Sequence, residues 1–252
     1  MPLNLTLLQS KLPTRRLHWF PTIDSTMHEA SRLASLGAPS GTTVIAEEQS
    51  AGHGRYNRTW HSEPETGLYL SVILRFAFQP TTLPLVTLAL GLAATESIQK
   101  TTGLTCDLRW PNDVLIRNRK CAGILPQLEG AAIVAGFGIN VNQSAFPTHL
   151  SPIATSLRIE SGALQSRETL LVELLPSIDA FSETLATAGK EPILDMFTQS
   201  SSFVHGRRVQ VDQGDSTLTG TTIGLNDTGF LLLQDDAGKQ HTIIAGGVRP
   251  CS

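Results

Sequence analysis

The stretch Arg109-Trp110-Pro111-Asn112-Asp113-Val114-Leu115-Ile116-Arg117-Asn118-Arg119-Lys120-Cys121-Ala122-Gly123-Ile124-Leu125 decides the fold. Trp110 to Asp113 set an aromatic ring, a rigid turn and two polar side chains at a strand boundary. Two apolar runs follow, and Arg117-Asn118-Arg119 lies between them, which predicts a hairpin. Lys120 opens the second strand, and the small residues Cys121, Ala122 and Gly123 leave room for a ligand against the sheet. A lysine facing such a pocket offsets the charge of a carboxylate and a phosphate. Taken singly, the same residues fit an ordinary turn and a strand-edge lysine.

Working outward, the pattern predicts strands at 104–109, 113–117, 120–128 and 132–140, after a helix at 85–100 that ends before Gly103. Tyr69, Val72, Ile73 and Leu74 mark a strand over 67–76, and another is expected at 42–47. A helix is expected at 22–37. Thr26 and Glu29 have capping-box spacing, Met27, Ala30, Leu33, Ala34 and Leu36 form an apolar face, and Gly37 is the C′ candidate. Helices are also expected at 168–186 and 192–197. From Phe203 onward the chain is dense in Val, Thr, Ile and Gly, with turn signals at Asn226-Asp227-Thr228-Gly229 and Asp235-Asp236-Ala237-Gly238. The expectation is an α+β fold: a mixed-sheet domain over residues 1–200 and a small β-barrel over 201–252. Residues 1–18 are too few for a domain of their own.

Composition narrows the function. The 252 residues are 40% hydrophobic and 16% charged, the profile of a soluble globular chain. A net charge of -3 gives no overall basic character for nucleic acid. Three widely spaced cysteines, Cys106, Cys121 and Cys251, make a poor disulfide framework and suit a reducing cytoplasm. No Cys-x-x-Cys or His/Cys cluster suggests zinc. The longest apolar segment, 83–94, is too short for a membrane span, and no signal peptide is evident.

Two further stretches bear on chemistry. Ser50-Ala51-Gly52-His53-Gly54-Arg55-Tyr56-Asn57-Arg58-Thr59-Trp60 is glycine-rich, yet it is neither a P-loop nor a Rossmann fingerprint. Its glycines permit close backbone approach, and Arg55 and Arg58 offer forked donors to phosphate oxygens. Gly136-Phe137-Gly138-Ile139-Asn140-Val141-Asn142 places glycines inside a strand pattern, a sign of a bulge or of close approach. In a regular strand Asn140 and Asn142 share a side.

In this order and spacing the three stretches resemble the biotin–protein ligase family. The 52–60 run is similar to that family's Gly-Arg-Gly-Arg-x-Gly-Arg-x-Trp loop, and 109–113 to its Lys-Trp-Pro-Asn-Asp. Residues 120–125 match its Lys-x-x-Gly-Ile-Leu, and 136–142 its Gly-x-Gly-Ile-Asn-x-Asn. Asp24-Ser25-Thr26 resembles the Ser-Thr pair at the family's first helix, and the likeness extends from about residue 19 through the small β-domain, which resembles the family's SH3-like barrel.

The resemblance implies a ligase that makes biotinyl-5′-adenylate from biotin and ATP with Mg2+ and passes the biotinyl group to a lysine of a carrier domain. The expected partner is the biotin carboxyl-carrier domain of a biotin-dependent carboxylase such as acetyl-CoA carboxylase. It implies catalytic roles for Lys120, Arg55, Arg58 and Asp113. Biotin contacts fall to Ser25, Thr26, Gln49, Gly52, His53, Arg55, Lys120 and Gly123. The nucleotide and adenylate fall to Arg55, Arg58, Trp60, Asn112, Lys120 and Asn140, with backbone N–H groups of Gly52 and Gly54 at the phosphates. Asp113 is placed either to bind Mg2+ or to orient the incoming amine. Ser25 and Thr26 have a competing role as helix cap.

Departures from the family pattern are His53 for its first loop arginine, Asn57 for its later glycine and Arg109 for its lysine. His53 has no guanidinium and gives no bidentate fork, and Asn57 is the least costly replacement where φ is positive. The short run before the first helix carries no helix-turn-helix module, so neither DNA binding nor a repressor role is expected. A cytoplasmic enzyme without membrane contact is expected, with a homodimer by edge-strand pairing left open. The rivals are a lipoate or octanoate ligase of the same fold and a non-catalytic biotin-binding module.

Overall fold

The computed structural model describes residues 1–77, 80–212 and 216–251. Two sheets organise them. In chain order the first part comprises α1 (Leu5–Lys11), β1 (Leu17–Phe20), α2 (Thr26–Ser35), β2 (Thr43–Ala46), β3 (Gly67–Leu74), α3 (Leu83–Thr102), β4 (Asp107–Arg109), β5 (Asp113–Ile116), β6 (Arg119–Glu129) and β7 (Ala132–Asn140). There follow α4 (Leu157–Ser161), α5 (Arg167–Thr187), α6 (Glu191–Gln199) and strands β8 (His205–Asp212), β9 (Thr217–Leu225), β10 (Leu231–Gln234), β11 (Gln240–Ile243) and β12 (Gly247–Pro250). Strands β1–β7 form a sheet in the order β1-β2-β3-β7-β6-β5-β4, and β8–β12 a second in the order β11-β10-β9-β8-β12. β1 and β2 run parallel while the other pairs are antiparallel, so the large sheet is mixed. The small antiparallel sheet is the SH3-like part.

The pleat divides the large sheet into two faces. Leu68, Leu70 and Val72 of β3, with Phe137 and Ile139 of β7, join the main core with α3 and α5. Val44, Ile73, Ala132 and Val134 face the other way and pack under Met27, Ala30 and Ala34 of α2. α2 is amphipathic, so it covers only part of this second face. The glycines of β6 and β7 lie on this face, Gly136 under Met27 of α2 and Gly123 and Gly138 beyond it.

The expected 117–119 turn is a two-residue loop: Ile116 pairs with Arg119, and Arg117 and Asn118 both have left-handed backbone (φ 49 and 63). That is the twist a tight hairpin needs. Gly103 ends α3 in the left-handed conformation, and Gly37 has φ 84 just past α2. Three elements were not expected, namely α1, β1 and α4; each is short and lacks a periodic apolar stripe. The capping box fails as well. α2 begins at Thr26 with Ser25 at its N-cap, Ser25 makes no capping hydrogen bond, and Thr26 Oγ1 is turned to Gln49 and Ser71 instead. Among the described residues no helix is long and apolar enough to cross a membrane.

Candidate active site

The site is built on the glycine face of β6 and β7. Gly123 pairs with Gly138, and Leu125 with Gly136. Close approach, rather than a bulge in β7, explains these glycines. A Cβ on Gly138 would stand 2.4 Å from Trp60 Cε2, one on Gly136 2.6 Å from Met27 Sδ, and one on Gly123 2.8 Å from Lys120 Nζ. Any side chain here would displace one of three residues that lean over the strip.

Lys120 and Gly123 are three residues apart, so a regular strand would set them on opposite faces. A bulge prevents this. Val114 pairs with Ala122 but Leu115 with Lys120, leaving Cys121 as the extra residue of β6. Bulges re-aim side chains in this way. Lys120 Nζ thereby reaches Asp113 Oδ1 at 2.5 Å and sits 5.1 Å from the centre of the Trp60 ring. Arg109 holds the other oxygen of Asp113, with Nη2 at 2.6 Å. Burial pushes the Asp113 carboxyl up, but Lys120 and Arg109 together outweigh it and keep its pKa below the ordinary 3.8.

With both oxygens on cations, Asp113 does not fit a magnesium ligand, and among the described residues no group of three His, Cys, Asp or Glu side chains is placed to hold a metal. The charged side chains gathered here are two cations joined through one carboxylate.

A polar cluster lies at the other end of the strip. Gln49 Oε1 accepts from Thr26 N at 2.9 Å and Thr26 Oγ1 at 3.1 Å, while Gln49 Nε2 donates to Ser62 Oγ at 3.3 Å. Ser71 Oγ donates to Thr26 Oγ1 at 2.9 Å. Gly52 leaves room for Gln49, whose Nε2 would lie 2.9 Å from a Cβ there. Donors and acceptors thus alternate within a compact, mostly buried cluster beside buried Ser25. Ser71 and Ser62 were missed by sequence reasoning. A serine inside the apolar run of β3 was the available signal.

The 50–60 stretch is a closed hairpin rather than a loose turn. Trp60 N donates to Gly52 O at 2.9 Å, Gly54 N to Arg58 O at 2.7 Å, and Arg55–Asn57 make a single 3-10 turn at the tip. The Gly54 N–H expected at the phosphates is therefore spent within the hairpin. The left-handed residue is Tyr56 (φ 58, ψ 33), not Asn57 as expected. Arg55 Nη1 lies 3.5 Å from Asn112 Oδ1, and Asn112 Nδ2 in turn donates to Ile124 O at 2.9 Å. Arg58 Nη2 is 3.9 Å from Asp212 Oδ2. Trp60 Nε1 is buried with no partner.

Two expected residues stand outside this group. His53 turns away toward α2, its ring 5.5 Å from that of His28, so it does not meet the Gln49 cluster. Asn140 donates to Thr155 O at 3.0 Å, backing the 153–155 segment that pairs with Lys120. Asn142 lies past the end of β7 and clamps the Gln165 backbone through both ends of its amide. Glu160, also unforeseen, is buried and holds Arg119 at 2.6 Å and Thr155 Oγ1 at 2.6 Å, which ties the residue before Lys120 to the one whose N–H donates to the Lys120 carbonyl.

Known proteins resemble this chain over most of its length. Residues 19–144 match the biotin/lipoate A/B protein ligase family, and 204–248 match the biotin protein ligase C-terminal domain. The biotin–[acetyl-CoA-carboxylase] ligase of Mycobacterium tuberculosis is 32% identical over 222 residues, 86% of this chain and 81% of that protein. The bifunctional ligase/repressor BirA of Bacillus spizizenii is 33% identical over 238 residues, 92% of this chain and 73% of that one. The biotin protein ligase of Aquifex aeolicus, solved in complex with biotin and ATP, superposes with a TM-score of 0.83 at 28% identity, covering 94% of this chain and 99% of that one. A glycine face under Lys120, a hairpin armed with two arginines and the small β-sheet thus occur together with family-level similarity over most of the chain, and the chain belongs to the biotin protein ligase family.

Proposed function

We propose that the chain activates biotin with ATP as biotinyl-5′-AMP and transfers the biotinyl group to a lysine of a biotin carboxyl-carrier domain. In the first step a carboxylate oxygen of biotin attacks the α-phosphorus of ATP; the bond to the β-phosphate breaks and pyrophosphate leaves. Both reactants are anions, so the barrier falls when fixed cations offset their repulsion and hold them in line. Lys120 fills that role between carboxylate and α-phosphate, held by Asp113 and aimed by the bulge at Cys121. Arg55 and Arg58 cover the phosphates from the hairpin. The Thr26–Gln49–Ser71 cluster suits the ureido ring of biotin, which needs donors and acceptors within a small volume. In the second step the neutral amine of the carrier lysine attacks the acyl carbon, the bond to the phosphate oxygen breaks and AMP leaves, and the nitrogen gives up one proton to solvent as the amide forms. Trp60 over the glycine strip keeps water from the mixed anhydride in the interval.

The observation that carries this reading is Lys120 held over the glycine strip next to Trp60, with an uncharged polar cluster close by. The test is exchange of labelled pyrophosphate into ATP, with biotin, lipoate and octanoate supplied separately. Biotin-dependent exchange is expected, falling by about 100-fold or more in Lys120→Ala. Exchange supported by lipoate rather than biotin would replace the substrate assignment, and no exchange with any acid would remove the adenylating role.

A further inference from the structure

The tip of the 50–60 hairpin does not end at the glycine strip; it crosses to the small sheet. Gly246 N donates to the Tyr56 hydroxyl at 2.6 Å. Arg55 Nη2 donates to the same hydroxyl at 3.1 Å, and Arg55 Nη1 to Gly246 O at 3.3 Å. The guanidinium of Arg55 lies 5.0 Å from the centre of the Tyr56 ring. Tyr56 itself is 58% exposed, so its ring is not there to fill a core. A tyrosine with left-handed backbone and an exposed ring persists when something else over-determines its place. Here that is the hydroxyl, held at once by the small sheet and by Arg55.

The donor on the far side is rigid. Gly246 has φ 135, and a Cβ there would stand 2.7 Å from Asp212 O and 2.7 Å from Val211 Cγ1. The direction of its N–H is set by packed backbone, not by a rotamer. Resting on the ligase reading above, we propose that Tyr56 is a positioning residue whose hydroxyl latches the hairpin to Gly246 and so fixes Arg55 beside Asn112 for the adenylation step. The small sheet then contributes to the nucleotide end of the site through the backbone N–H and C=O of Gly246, beside the Arg58–Asp212 ion pair. The biotin end, built from Thr26, Gln49 and Ser71, does not depend on the latch.

Tyr56→Phe keeps the ring against Arg55 and Arg58 and removes only the hydroxyl. It is tested in the full chain by biotin-dependent pyrophosphate exchange and by trypsin, which cuts after Arg55 and Arg58. An unlatched hairpin is expected to raise the KM for ATP about tenfold while leaving the KM for biotin within about twofold. Nicking in the hairpin should speed up with no change in melting temperature. An unchanged KM for ATP with unchanged nicking overturns the proposal, and so does an equal rise in both KM values with a lowered melting temperature, which would mark a merely structural residue. If the wild type shows no biotin-dependent exchange, the ligase reading fails on its own. The nicking comparison then still decides the latch, since equal rates sink it and faster rates in the variant uphold it.

Discussion

Asp113 illustrates what one carboxylate does between two cations. Its Oδ1 faces Lys120 and its Oδ2 faces Arg109, so the negative charge fixes the direction of one ammonium while a second cation keeps the carboxylate ionised. Asp113→Asn leaves two partly buried cations side by side without their counter-charge. We expect a loss of about 2 kcal/mol in stability and, on the reaction proposed above, slower adenylation as Lys120 loses its fixed direction. The sign of the pH dependence follows from the lowered pKa. The carboxylate's contribution is present above the unfolded value of 3.8 and is lost as pH falls through the lower folded value. Urea unfolding of wild type and variant should therefore show a constant gap from neutral pH down to the unfolded value, closing only below it. A gap that closed near neutral pH would mean that Asp113 is not ionised as described.

At the scale of the element, the strip made by Gly123, Gly136 and Gly138 behaves as one part. Gly138 does not adopt a left-handed backbone, so alanine is conformationally acceptable there and the objection is purely steric, at 2.4 Å from Trp60. Gly138→Ala should fold, expel Trp60 from the strip, shift tryptophan emission to the red and weaken biotin binding by about tenfold or more. Unchanged emission with unchanged affinity would show that Trp60 does not rest on the strip in solution. Much of this element was legible beforehand. Glycine inside an apolar strand had a stated meaning, and the Arg117-Asn118 turn fixed where β5 hands over to β6. What was not legible depends on register. The bulge at Cys121, which puts Lys120 on the same face as Gly123, arises from how two strands align, and neither strand alone encodes it. The same holds for Thr26, where local spacing favoured a capping box. A tertiary partner, Gln49, took the hydroxyl instead. Tyr56 escaped notice because its partner, Gly246, is 190 residues away along the chain.

For the whole molecule the question is whether the two sheets stand or fall together. Their apolar residues join in one cluster: Val209, Val211, Leu231 and Leu233 of the small sheet pack in the same core as Leu88, Leu108 and Trp110. Trp110 is the link with a direction. Its indole is 3% exposed, and Nε1 donates to Gly229 O at 2.9 Å in the turn between β9 and β10. Gly229 has φ 83, and a Cβ there would stand 3.1 Å from Leu85 Cδ2 and 3.2 Å from Leu88 Cδ1, so the turn that offers this carbonyl packs closely on α3. Ser200 O and the Ser201 hydroxyl tie the start of the small sheet to Leu108 on the adjacent strand. Trp110→Phe removes one hydrogen bond, orphans a buried carbonyl and leaves a small void, together costing about 2 kcal/mol. For a chain of this size that lowers the melting temperature by roughly 4–8 °C. Because the core is shared, circular dichroism and tryptophan fluorescence should report a single coincident transition in both proteins, shifted as a whole in the variant. Two separated transitions, with only the later part of the chain melting early, would show that the small sheet is an independent unit. The Gly246 end of the hairpin latch would then be free to leave while the large sheet stays folded.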